Sequence, residues 1–275
     1  MKSIFNVTFV LLIIFFAGNL YAGEVVFDDP SGDDNGPGSY IYPTDPVYKK
    51  GSFDITKLEI KEKGGEVEFR LTLNSKIEDP WNSKSWPQGG NGFSIQMGFI
   101  FIDTDNKEGS GEEDGLPGLN IKFEKSSFWE KCVIISPQSK ARLNDEIKQK
   151  AEKFKNKIVI PKKTFVQGRS LVAIVPKKDL GGFSEKWGYQ VVMQSNEGYP
   201  DKKDFLTRKV NEYEGPHRFG GGSDYDCDPH VIDIITSPAK GGKDEIVKQH
   251  EILKKFKCDA DPSKWEIVRI PMVYK

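Results

Sequence analysis

Residues 66–73, Glu-Val-Glu-Phe-Arg-Leu-Thr-Leu, alternate without a break, with Val67, Phe69, Leu71 and Leu73 on one side and Glu66, Glu68, Arg70 and Thr72 on the other. A period of two is that of a half-buried β-strand. Outward from it, Phe93 to Ile102 reads as a second, longer strand, with Phe93, Ile95, Met97, Phe99 and Phe101 on its core side. A strand pair is predicted around residues 119–123 and 128–135. Shorter strands follow at 158–160, 171–175 and 189–194, and a closing strand falls within 265–273. Two segments switch to the helical period: residues 142–154, with Leu143, Ile147, Ala151 and Phe154 on one stripe, and residues 244–256, with Ile246, Leu253 and Phe256. Short strands, turns rich in Gly and Pro, and no internal repeat predict an all-β sandwich with one or two short surface helices. With no break in composition, residues 23–275 read as a single domain.

Ahead of the first clear strand lies Val25-Val-Phe-Asp-Asp-Pro-Ser-Gly-Asp-Asp-Asn-Gly-Pro-Gly38. Asp28, Asp29, Asp33, Asp34 and Asn35 crowd together, and Gly32, Gly36 and Gly38 give the backbone the freedom that a tight, oxygen-lined loop requires. Two readings stand side by side. One is a solvated acidic turn; the other is a calcium site, since that cation takes six to eight oxygens from carboxylates, amides and carbonyls. For the second, the expected ligands are Asp33, Asp34 and Asn35, helped by Asp29 or Asp54. Further acidic, glycine-rich loops follow at 103–115 and 219–229. The first opens Asp103-Thr-Asp105, but Lys107 and Glu108 stand where an EF-hand wants an oxygen ligand and a glycine.

The first 22 residues have the layout of a secretory signal peptide, a lysine followed by an apolar run from Ile4 to Phe16 and small residues ending at Ala22. A secreted or periplasmic product is expected. No later stretch approaches the roughly 18 apolar residues of a membrane span. The 40 Lys and Arg nearly cancel the 41 Asp and Glu, which removes the general attraction to phosphate on which nucleic-acid binding depends. Of the three cysteines, Cys132 lies in an apolar stretch. Cys227 and Cys258 flank the second helix in polar segments, where a bridge and free thiols are both open.

Catalytic signatures are missing. The three histidines form no His-Glu-x-x-His pattern, and there is no Gly-x-Ser-x-Gly elbow, phosphate-cradling loop or dinucleotide fingerprint. A glycosidase needs only two suitably spaced carboxylates, so an unrecognised glycoside hydrolase stays among the readings. Trp81 and Trp86 lie in a polar loop punctuated by prolines, outside any strand pattern, and Trp129 lies between two predicted strands. An aromatic plane beside polar loops is a natural platform for a sugar ring. Trp81, Trp86 and Trp129 are therefore the candidate ligand-binding residues.

These motifs together carry a resemblance: Asp29-Pro-Ser-Gly-Asp-Asp-Asn-Gly-Pro-Gly-Ser-Tyr40, Tyr42-Pro43, Phe53-Asp54-Ile-Thr-Lys57, Pro80-Trp81, Gly92-Phe-Ser-Ile-Gln96, Ile102-Asp-Thr-Asp105, Leu116-Pro-Gly118, Trp187-Gly-Tyr189 and Phe219-Gly-Gly-Gly222. In this order, over nearly all of the chain after residue 22, they resemble the C-terminal module of glucodextranases and amylopullulanases. The resemblance implies an immunoglobulin-like sandwich akin to DOMON domains and family-nine carbohydrate-binding modules. It also implies a non-catalytic role on polysaccharide or cell-envelope glycan, beside a glycan-active enzyme. The lysine-rich helix near 142–155 departs from the family pattern. The DOMON likeness opens an alternative, a haem or redox module with Met97 or Met193 and a histidine as axial ligands.

Overall fold

The computed structural model describes residues 23–237 and 242–275; the expected leader, residues 1–22, lies outside the described residues. In chain order the elements are β1 (Gly23–Asp28), β2 (Ile55–Lys63), β3 (Glu66–Leu73), β4 (Gln96–Asp103), β5 (Ile121–Phe123), β6 (Lys131–Ile135), α1 (Lys140–Lys150), β7 (Ile158–Val159), β8 (Lys163–Gln167), β9 (Ser170–Pro176), the single turn α2 (Lys177–Leu180), β10 (Gly188–Ser195), β11 (Asp233–Ile234), α3 (Lys243–Leu253) and β12 (Val268–Ile270). One five-stranded sheet runs β1-β2-β3-β9-β8 and a second runs β11-β10-β4-β6-β7. They pack face to face as a β-sandwich.

The two sheets differ in what covers them, and that difference explains how the sequence reads. β3 is the half-buried strand its alternation predicts: Val67, Phe69, Leu71 and Leu73 point between the sheets, and the charged residues point to solvent. β4 is buried at every position. Ile100 and Ile102 enter the space between the sheets, whereas Met97, Phe99 and Phe101 point the other way, into a second apolar cluster. The expectation of a single core side for residues 93–102 is therefore corrected, with Phe93 and Ile95 preceding the strand and joining the inter-sheet core. A strand covered on both faces needs apolar residues on both, so its alternation carries no information about sides.

The second cluster is roofed by Leu143 and Ile147 of α1, Ile252 and Leu253 of α3, and the small β5–β12 ribbon. Residues 121–123 do not pair with 131–135 as expected; β5 runs parallel to β12, at the far end of the sequence. The α1 N-terminus is capped by Ser139, whose hydroxyl accepts from the Arg142 N–H at 3.2 Å. Cys227 and Cys258 are bridged, with Cα atoms 5.6 Å apart, and Cys132 is a free thiol buried in the second cluster.

β4 is antiparallel to both β6 and β10, so the loop before β4 and those after β6 and β10 meet at one end of the sandwich. The entry to β2 reaches the same end: the Gln96 side chain donates to the Ser52 carbonyl at 3.1 Å, and the Ile55 N–H donates to Asp233 at 2.6 Å. The residues of functional interest gather there.

Candidate functional site

The acidic loop after β1 is pinned from behind. Gly36 sits at φ 58, where a Cβ would stand 2.3 Å from the Tyr40 ring, so only glycine fits. Its N–H donates to the Ile232 carbonyl at 2.8 Å. Gln249 of α3 donates to the Asp33 carbonyl at 2.6 Å and accepts from the Ile234 N–H at 3.0 Å, which fastens the loop to β11 and α3 together.

This anchoring turns carboxylates inward. Asp29, Asp33 and Asp233 are all buried and bring carboxylate oxygens within 4.8 Å of one another. Both oxygens of Asp29 and of Asp33 lack a hydrogen-bond donor, as do Oδ1 of Asp54 and Oδ1 of Asp233. The remaining oxygens are satisfied: Asp54 Oδ2 accepts from the Gly32 N–H and from Asn74 Nδ2, each at 2.9 Å, and Asp233 Oδ2 from the Ile55 N–H. Burial, and then mutual repulsion, raises the whole group. Asp33 is pushed up to about 8 and Asp54 to about 6. Asp29 and Asp233 lie well above the ordinary carboxylate range, and the Glu245 charge adds to Asp29 and Asp33. Buried polar atoms are normally partnered, so these unpartnered carboxylates stand out as hard oxygen donors gathered at one point.

Two of the expected ligands are not in this cluster. Asp34 Oδ2 accepts from the Gly51 N–H at 3.2 Å and from the Tyr42 hydroxyl, so Asp34 holds the next loop in place. Asn35 Oδ1 meets His250 Nε2 at 2.9 Å. Neighbours in an extended or turning chain point apart, so five adjacent oxygens in sequence do not converge in space. Sequence reasoning missed Asp233 and Glu245. For Asp233 a signal exists: an acid inside Val231-Ile-Asp-Ile-Ile235, an apolar run where a carboxylate has no reason to be buried alone. The acidic loop after β4 brings a second group together, Asp103, Asp105 and Glu130, with carboxylate oxygens also within 4.8 Å of one another, but it is better supplied with donors. There Asp103 Oδ1 accepts from the N–H groups of Asp105 and Asn106, Oδ2 accepts from the Tyr274 hydroxyl, and Glu130 accepts from the Thr104 N–H at 2.7 Å. Those bonds brace the turn and leave Glu130 Oε1 buried without a donor, with burial raising Glu130 to about 7.

At the same end of the sandwich, Trp81 and Trp86 line an open cleft of about 420 Å³. Asp79 shapes their loop by accepting from the Ser83 N–H at 2.9 Å and from the Ser94 hydroxyl. Trp86 Nε1 donates to the Trp81 carbonyl at 3.1 Å. Trp81 is half-buried, standing edge-on to Tyr48 at 6.1 Å and to His217 at 5.7 Å. Gln138, which donates to Asn196 at 3.2 Å, supplies amides to the lining, and Tyr199 stands 94% exposed at the edge. Trp129 is not with them. It is fully buried against Phe101 and Phe154, with Nε1 bonded to the Asp114 carbonyl, and it offers no face to a glycan. Met97 and Met193, the alternative haem ligands, are fully buried in different clusters.

The sandwich thus carries an aromatic cleft at one end. The family model for the C-terminal binding module of glucodextranase, described as SLH-like, matches residues 25–269, and the chain belongs to that family. No curated protein matches the chain. Among the described residues no helix is long and apolar enough to cross a membrane.

Proposed function

We propose that residues 23–275 act as one exported, non-catalytic unit that binds polysaccharide or cell-envelope glycan in the cleft of Trp81 and Trp86, with calcium holding the acidic loop. The observation that carries the reading is the pairing of half-exposed indoles and an exposed tyrosine with fixed amides around one open cleft. Rings stack on the C–H faces of sugars, and amides exchange hydrogen bonds with their hydroxyls. Family membership points to the same role, and a partner that cuts or builds glycan is its natural company. The calcium part rests on the unpartnered oxygens of Asp29, Asp33, Asp54 and Asp233, which supply the hard donors this cation takes.

The test is a glycan-array screen of residues 23–275 with calcium and with chelator, followed by titration of the best ligand into Trp86→Ala and Tyr199→Ala. Binding that weakens several-fold in both variants supports the cleft. Binding unchanged in both, or no binding to any glycan, removes it.

A further inference from the structure

Charge in the cleft is uneven. Arg142 of α1 and Arg208 both line it, against one lining carboxylate, Glu197. That carboxylate is already shared, by Arg208 at 3.1 Å and Arg218 at 3.7 Å. Glu146, buried beneath α1, is shared in the same way by Arg142 at 2.7 Å and Lys150 at 2.9 Å. Asp201 and Asp204, further along the loop, pair with Lys209 and do not line the cleft.

Each guanidinium is held by only part of its fork. Arg142 uses Nη2, for Glu146 and for the Gly198 carbonyl at 3.3 Å; Arg208 uses Nε for the Asn196 carbonyl at 3.3 Å and Nη1 for Glu197. Among the described residues, Arg142 Nε and Nη1 and Arg208 Nη2 make no hydrogen bond within the protein. The two side chains are therefore fixed in place with donors left over, in a cleft whose carboxylate is outnumbered.

We propose that the cleft selects acidic saccharides, in which a sugar ring bears a carboxylate or a sulfate that Arg142 and Arg208 receive while Trp81, Trp86 or Tyr199 stacks on the ring. This rests on the glycan-binding reading above. A planar guanidinium fork matches a carboxylate or sulfate face to face, a geometry that a neutral hydroxyl does not use. The chain's net charge of −1 gives no general attraction to polyanions, so the preference is local to the cleft.

The experiment is calorimetric titration of residues 23–275 with three oligosaccharides of equal length: neutral gluco-oligosaccharide, oligogalacturonate and a sulfated oligosaccharide, each at low and high salt. The expected result is binding of one or both acidic ligands about tenfold or more tighter than the neutral one, weakening as salt rises. Whichever acidic arm wins names the anion. Arg142→Gln should collapse the acidic-to-neutral ratio several-fold. Should that variant fold poorly for want of its Glu146 partner, the salt dependence of the unaltered protein decides. Equal or tighter binding of the neutral ligand overturns this inference and leaves glycan binding standing; no binding in any arm overturns both.

Discussion

Asp33 and Asp233 come from opposite ends of the chain, yet they hold carboxylate oxygens within 4.8 Å of each other, and neither oxygen of Asp33 meets a hydrogen donor. Like charges so placed must take up protons or a cation. What joins the first loop to β11 is the hydrogen bonding of Gly36 to Ile232 and of Gln249 to Asp33 and Ile234, which holds the acids together against their repulsion.

The proton side fixes a sign. Asp33 is raised from 3.8 to about 8 in the folded state, so the native protein binds more protons than the unfolded chain between those values. The stability this contributes is fully present below 3.8 and is lost as pH rises through about 8. Chelator-treated protein should therefore melt at a lower temperature at pH 8 than at pH 5. Calcium has to displace those protons, so the rise in melting temperature that it gives should be larger at pH 8. An equal or smaller rise at pH 8 counts against a cation in this cluster.

Substitutions separate the cluster from its neighbours. Asp233→Asn removes one of the repelling charges, so it should raise the melting temperature of chelated protein and cancel most of the gain from calcium. Asp34→Asn should cost about 1–3 kcal/mol by weakening the bonds to Gly51 and Tyr42, and leave the calcium response intact. If the two variants lose the calcium response equally, the ligand assignment fails.

The tryptophans divide by burial. Trp129→Ala should cost about 3–5 kcal/mol of stability, because its ring fills the second cluster completely. Trp86→Ala, at the cleft, should cost less than about 1 kcal/mol and show its effect in glycan affinity. Thermal melts of the two variants, read beside a titration, distinguish them; similar melting losses contradict this placement.

The Cys227–Cys258 bridge closes a loop with a sequence separation of 31. On chain-entropy grounds its loss costs about 3–4 kcal/mol. Denaturant unfolding of Cys227→Ser with Cys258→Ser should show a lower midpoint of about that size. An unchanged midpoint would mean that packing around the two side chains does the holding.

How legible all this was depends on what each residue faces. β3 has water on one side, so its period of two was visible and correct. β4 is apolar on both faces, and its sides were unreadable. β8, Lys163–Gln167, was missed because it lies at a sheet edge with a mixed, half-exposed pattern. In the candidate site, the acidic loop was conspicuous, but the direction of each side chain depends on tertiary bonds such as Gly36 to Ile232 and Gln249 to Asp33. Asp29 and Asp33 come together with Asp233, which lies far along the chain, while Asp34 and Asn35 are bonded elsewhere. Trp81 and Trp86 stood out as aromatics among turn residues, and the structure puts both at the cleft. Trp129 looked similar from its neighbours alone, because its partners Phe101 and Phe154 are distant in sequence.

The β5–β12 ribbon also sets a clock. Residues 121–123 are synthesised long before residues 268–270, and until the latter arrive β5 has no partner and the second cluster lacks Val268 and Ile270. The same late segment bonds to β10, where the Tyr189 and Val273 backbones exchange hydrogen bonds at 2.9 Å and Gln190 donates to the Pro271 carbonyl. Growing chains usually acquire structure from the N-terminus while translation continues. Here the nascent chain cannot close its second layer until nearly all of it has been made, so the final collapse follows synthesis and is slowed by contacts of long sequence separation.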